Sequence, residues 1–324
     1  MNRQSLIPAA LAALVLCASA PTAFADAARV RPRPDALRAI QARLAAGGGV
    51  ALTEKSSTRM PGGRIVDHMS YSAGYNVERK GRLRLGRPGV LAAETWRRLS
   101  FGTGVAKQIA TDTAKGGDAY VASLLPQTSW HHSISVGGHL YASGRLYDPV
   151  LPQGKSWARL KNVSGAAAAY GDQLLNVFEP ATAKALITEK NRKGDGYEFR
   201  EPDGRKHWEL QYAGALSFAA MYKLSATFRE ALNGRLDSAD RTLQLNWSVF
   251  VDDKGLPLRV VSFWENRQDG RFFTSETVTS YSGWGSRTAI TAPPSSRTAV
   301  TRGPAGLPES DGTVDVLRAR PATG

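Results

Sequence analysis

Cysteine is nearly missing from these 324 residues: the one present, Cys17, lies in an apolar N-terminal run. Without that run no thiol remains, which excludes a disulfide framework, a catalytic thiol and a cysteine metal cluster. Histidine is scarce too, at five residues: His68, His131, His132, His139 and His207. Long hydrophobic runs are missing beyond Leu6–Ala20, and that one is too short and too soon broken by Pro21 to span a bilayer. There is no Gly-x-Ser-x-Gly, and no carboxylate pair at a spacing that suits acid–base work. Acidic residues are the short side of the charge balance, 28 against 42 Lys and Arg.

What is present begins with an export signal. Residues 1–25 carry Arg3, then the apolar core, then Ala23-Phe24-Ala25 with small residues where a signal peptidase reads. Cleavage is expected near Ala25, giving a secreted, extracytoplasmic chain. Lipid anchoring at Cys17 is not expected, because Leu16 occupies the place where a lipoprotein signal has a small residue. Residues 26–34 read as a linker, 35–294 as one domain, and 295–324, rich in Pro, Gly, Ser, Thr and charge, as a disordered tail.

The formal charge of +14 becomes +13 without Arg3, the one charged side chain of 1–25. The cations are scattered and often stand beside acids in turns, with no basic run interleaved with aromatics, so nucleic acid is not an expected partner. Outside a cell such charge suits anionic membrane surfaces and wall polymers, or is simply a solvated face.

Asp35 reads as an N-cap before Leu37, Ile40 and Leu44 at helical spacing, with Gly47-Gly48-Gly49 as the stop. The period then changes to two. Residues 50–59 and 65–72 flank a turn at Pro61-Gly62-Gly63, and 73–118 hold two further strands with an irregular insertion. Gly137-Gly138 joins two alternating runs as a tight hairpin, and a short strand surrounds Trp157. Residues 166–190 read as helical, and 197–213 as a hairpin about Asp203-Gly204. In 216–233, Phe218, Met221, Tyr222, Ser225, Phe228 and Leu232 share one helical face. Leu243, Leu245, Trp247, Val249 and Val251 alternate without a fault and open a β-meander running to Tyr281. In the following SGWGSRTAITAPP, the glycines imply a bulge, Thr288–Thr291 a last short strand, and Pro293-Pro294 its end.

The polar motifs carry little chemistry. In a two-residue hairpin Val136 pairs with His139, which sets His132 opposite Ser143, and His131 and His132 face opposite ways. These histidines do not converge as zinc ligands must. Asp252-Asp253-Lys254-Gly255 is too short for a calcium loop and reads as a β-turn. Gly102-Thr103-Gly104 has neither the third glycine nor the strand–helix context of a nucleotide fingerprint. Glu198, Glu201 and Asp203 stand beside Arg200 and Arg205 as a salt-laced edge. No metal and no cofactor is implied.

Four segments together resemble a family. A Gly-x-x-Tyr strand ending in Tyr141, Gly154-Lys155-Ser156-Trp157, the Asp252-x-x-Gly255-Leu256-Pro257-x-Arg259 hairpin, and Tyr281, Trp284, Gly285, Ile290, Pro293 and Pro294 are similar in order and spacing to the LolA-like lipoprotein carriers of actinobacteria, the LppX/LprG type. The resemblance covers about 130–295. It implies an α+β fold: a strongly curved antiparallel β-sheet, a half-barrel, with helices packed on its concave face. It also implies a non-enzymatic protein that binds a lipid or other apolar small molecule at the cell envelope. The ligand would lie among Phe218, Met221, Tyr222, Phe228, Leu232, Leu245, Trp247 and Val249. The alternative on the same scaffold is an envelope interaction module in which these side chains form a filled core with no ligand.

Overall fold

The structure, a computed structural model, describes residues 33–301 except 60–62, 65–69, 72–73, 117–122, 161–170, 202, 233 and 267–272. The signal segment, Cys17, the turn at Pro61-Gly62, His68, residues 166–170, and 302–324 lie outside the described residues.

Alternating apolar residues dominate the architecture. Among the described residues fourteen strands form: β1 (Gly48–Arg59), β2 (Gly63–Arg64), β3 (Ser70–Tyr71), β4 (Tyr75–Gly86), β5 (Gly89–Phe101), β6 (His131–Val136), β7 (His139–Ser143), β8 (Trp157–Leu160), β9 (Arg192–Arg200), β10 (Lys206–Ser217), β11 (Gln244–Val251), β12 (Pro257–Asn266), β13 (Phe273–Ser286) and β14 (Thr298–Thr301). Twelve of them make one sheet in the order β14-β8-β7-β6-β5-β4-β1-β13-β12-β11-β10-β9, while β2 and β3 pair separately. Every neighbour in the large sheet is antiparallel except β14 with β8. The sheet ends at β14 and β9 without closing, so the fold is α+β on a curved, open sheet.

Curvature is built in where the first and last long strands meet. Gly49 pairs with Ser286 and Ala51 with Ser282, so β13 carries extra residues between the two rungs. Gly283 and Gly285, at φ 65° and 82°, take the left-handed conformations that such a bulge needs.

Most of the helices cover one face of this sheet. α1 (Ala36–Ala46) begins at Asp35, whose side chain accepts from the Arg38 N–H, and buries Ala36, Ile40 and Leu44. Further helices among the described residues are α2 (Thr103–Ala114), α3 (Pro180–Leu186), α4 (Phe218–Leu224) and α5 (Ala226–Ala231). Apolar side chains from α1, α3, α4 and α5 meet Val50 and Leu52 of β1, Leu83 and Leu85 of β4, and the alternating face of β10–β12 in one core.

Several expectations need correction. The helix expected over 216–233 is two short helices: Leu216 and Ser217 end β10, and the chain turns at Ser225. There the Ser225 hydroxyl accepts from the Phe228 N–H and donates to Glu179, starting a new helix rather than continuing the old one. Of the helix expected over 166–190, the described residues 171–190 contain α3, and residues 173–176 are neither helix nor strand. Gly102-Thr103-Gly104 does sit between a strand and a helix, as the N-terminus of α2, though the third glycine is still missing. Thr288–Thr291 is not a strand. Residues 287–294 cross the outer face of the sheet as a strap, with Ile290 buried against Ala92, Ile134 and Tyr141. Order also continues past residue 294: Ser295–Arg297 make a 3-10 turn, and β14 adds to β8 in parallel, steadied by Lys155 Nζ donating to the Ser296 carbonyl at 2.8 Å. The strap carries the chain from the end of β13 to β8, where β14 pairs in parallel.

Candidate functional site

The concave face follows from register. Successive rungs across the central strands put Arg97, Arg79, Glu54, Thr279, Val260 and Val249 in one row. The next row holds Val77, Ser56, Thr277, Ser262 and Trp247, and the one after holds Tyr75, Thr58, Ser275, Trp264 and Leu245. The face is thus apolar toward β11 and polar over β1 and β13, with Arg79 of β4 reaching the polar part.

Of the eight residues expected to line a ligand site, Phe218, Met221, Phe228, Leu232, Leu245, Trp247 and Val249 are buried in the large core under the helices, and Tyr222 packs partly buried against it. The Tyr222 hydroxyl donates to the Gly234 carbonyl, which turns it away from a purely apolar role. Phe218 stands edge-on to Phe228 at 5.5 Å and to Trp264 at 5.3 Å, spacings at which aromatic rings are in contact. The Trp247 ring lies over Gly214, where a Cβ would come within 2.9 Å of it. Its indole N–H is buried and has no hydrogen-bond partner among the described residues.

The polar part was not foreseen. Glu54 and Arg79, 0% and 2% exposed in their side chains, form a two-pronged pair with Nε–Oε1 at 2.9 Å and Nη2–Oε2 at 2.8 Å. Glu54 also accepts from the Thr279 hydroxyl at 2.8 Å and the Asp172 N–H at 3.2 Å. Burial by itself would lower the Arg79 pKa; the Glu54 carboxylate against it outweighs that and holds it above its ordinary value. Burial, and then the Glu54 charge, push Tyr281 well above the usual tyrosine range. Arg97 pairs with Asp172 at 3.3 Å and reaches Gln127 at 3.4 Å. The alternation of strands β1, β4 and β5 does put Glu54, Arg79 and Arg97 on the inner face. What conceals their pairing from the sequence is that their partners are 25 and 75 residues away.

The segment 172–178 lies buried along its whole length, which is unusual for irregular chain because its amides need partners. Its own side chains supply several. Gln173 accepts from the Leu175 N–H and donates to the Val260 carbonyl, while Asn176 accepts from the N–H groups of Phe178 and Glu179. The Thr277 hydroxyl contacts both Ser56 Oγ at 3.0 Å and the Asp172 carbonyl at 3.3 Å. The segment leans on the sheet at these polar rungs and gives Leu174, Leu175, Val177 and Phe178 to the core.

Other sequence candidates are surface structure. His132 stacks on Trp96 at 4.3 Å, meets Trp157 edge-on, and contacts Glu94 at 3.1 Å, away from His131. Glu198 pairs with Lys206 and Asp203 with Arg205, a salt-laced edge as expected. Asp252 accepts from the N–H groups of Lys254 and Leu256 in a turn. Among the described residues no three His, Cys, Asp or Glu side chains are grouped to hold a metal, and no helix is long and apolar enough to cross a membrane.

The arrangement defines an open half-barrel whose inner face joins an apolar region to a buried polar one. No family model and no curated protein matches the chain. Among solved structures, the chain is aligned with that of MucB in complex with MucA(peri) at 10% identity over 76% of this chain and 93% of that one, with a TM-score of 0.08. So low a score carries no structural argument.

Proposed function

We propose that this chain is an exported, non-enzymatic binding protein of the cell envelope, one of the LolA-like kind, that holds a lipid-like molecule against the concave face of its half-barrel. The observation that carries this reading is Trp247. Its ring sits in the apolar core over Gly214, only 4% exposed, with an indole N–H that nothing among the described residues accepts. A filled core normally pairs such a donor, since leaving it buried and unbonded costs about 1–3 kcal/mol. An ester or amide carbonyl of an amphiphile would accept it. The excess of Lys and Arg supports docking at anionic head groups.

A second reading, an interaction module with a packed core, draws on the ring contacts of Phe218 with Phe228 and Trp264 and on the buried 172–178 segment. Solvent extraction of the exported protein followed by mass spectrometry separates the two. The carrier reading expects co-purifying lipid, uptake of an apolar dye after delipidation, and weaker uptake by Trp247→Phe, which keeps the ring and removes the donor. A folded protein with neither lipid nor dye uptake leaves the packed module.

A further inference from the structure

Beside the strap, register gathers rings and cations on the outer face of β1, β4, β5 and β6. One row runs His132, Trp96, Lys80 and Thr53. His132 stacks on Trp96 at 4.3 Å and meets Trp157 at 4.9 Å, so three rings are continuous there. The next row runs Arg98, Glu78 and Lys55. Trp130, one residue before β6, lies against both rows, with Lys80 Nζ 5.0 Å and the Arg98 guanidinium 4.7 Å from its ring centre. It is still 37% exposed, and it belongs neither to the large core nor to the cluster under the strap. Its packing contribution to the fold is therefore small.

Charge on these rows is one-sided once the ion pairs are counted. Glu78 is taken by Arg98 and Glu94 by Arg82, each at 2.6 Å. Lys55 and Lys80, both exposed, are left over, and the row beyond brings only Ser100, Asn76 and Ser57 before Glu276 of β13. Surplus lysines around an exposed tryptophan suit the boundary layer of an anionic bilayer, which offers phosphates to the cations and a half-apolar zone to the ring. A soluble polyanion would use the cations and leave Trp130 without a role.

We infer that this outer face docks on an anionic membrane surface, with Lys55 and Lys80 on lipid head groups and Trp130 at the interface. The inference rests on the envelope reading for the presence of a bilayer and adds which side of the protein lies on it. Docking and ligand binding then use opposite sides of one sheet, so each is measured without the other.

Co-sedimentation with phosphatidylcholine vesicles, with and without phosphatidylglycerol, tests the assignment. The wild type is expected to bind the anionic vesicles about tenfold or more tighter than the neutral ones, and less tightly as salt rises. Lys55→Gln/Lys80→Gln should lose about fivefold per lysine, whereas Lys193→Gln/Lys254→Gln, two exposed lysines elsewhere, should lose under about twofold. Both pairs should melt with the wild type, since all four side chains are exposed. Trp130→Ala should weaken vesicle binding and leave binding to soluble poly-glutamate unchanged. Equal losses in the two lysine pairs, or no preference for anionic vesicles, overturns the assignment. Poly-glutamate bound as tightly as the vesicles, with Trp130 dispensable to both, also overturns it and gives the face to a soluble polyanion. Vesicle docking by a wild type that takes up no apolar dye leaves the docking face standing and overturns the carrier reading; dye uptake without docking does the reverse.

Discussion

Replacing Glu54 by Ala leaves the Arg79 guanidinium, 2% exposed, without the carboxylate that takes two of its N–H groups. It also frees the Asp172 N–H and the Thr279 hydroxyl. Removing one member of a buried ion pair costs about 3–5 kcal/mol, since the survivor stays desolvated and uncompensated. That is a large share of the roughly 5–15 kcal/mol by which a domain is stable. The companion Glu54→Leu/Arg79→Met pair removes both charges and keeps the volume, so its cost comes mainly from the two freed hydrogen bonds, about 1–2 kcal/mol in all. Urea unfolding followed by tryptophan fluorescence measures both, with the singles Glu54→Leu and Arg79→Met completing the cycle. The expected coupling between the positions is about 2–4 kcal/mol. If Glu54→Ala costs under about 1 kcal/mol, or the double variant costs the sum of the singles, the pair does not hold the face together.

Two other predictions concern the outer face. Ile290→Ala empties the contact with Ala92, Ile134 and Tyr141 and should cost about 2–4 kcal/mol, with earlier proteolysis in 287–301 than in β1; unchanged cleavage would mean the strap is not anchored there. Burial lowers the His132 pKa below its ordinary 6.5, against the opposing pull of Glu94. The unfolded chain therefore takes up the proton first. This contribution to stability is complete above 6.5 and is lost as pH falls through the folded-state value. Comparing the urea midpoints at pH 7.5 and 5.5 checks it: the wild type should lose more than His132→Phe, which keeps the ring stack on Trp96 but cannot titrate.

The parts legible in the sequence were those fixed within a few residues. The Asp35 cap and the Ile40–Leu44 face gave α1, Gly137-Gly138 gave the pairing of Val136 with His139, and the alternation from Leu243 to Val251 gave the meander. The apolar face that the candidate residues share followed from these, while the fold class was what the resemblance to the LolA-like carriers implied. The helix face through Phe218, Met221 and Phe228 was right as a buried surface and wrong as one helix. Its break at Ser225 is made with Glu179, 46 residues away.

By itself the sequence determined which residues are apolar, at which period, and where turns must fall, because propensity and periodicity act over one turn of helix or one hairpin. Tertiary structure decided what Thr288–Thr291 and 173–176 became. Thr288–Thr291 reads as a strand locally, but the bulge at Gly283 and Gly285 ends the pairing with β1 at Ser286, and burial of Ile290 beside Ala92 holds the chain as a strap. Asp172 and Gln173 would stand exposed in any local view. Only the folding of β1, β4 and β5 into a curved face brings Glu54, Arg79 and Arg97 together. The charges that meet there give an irregular segment the partners it needs to be buried.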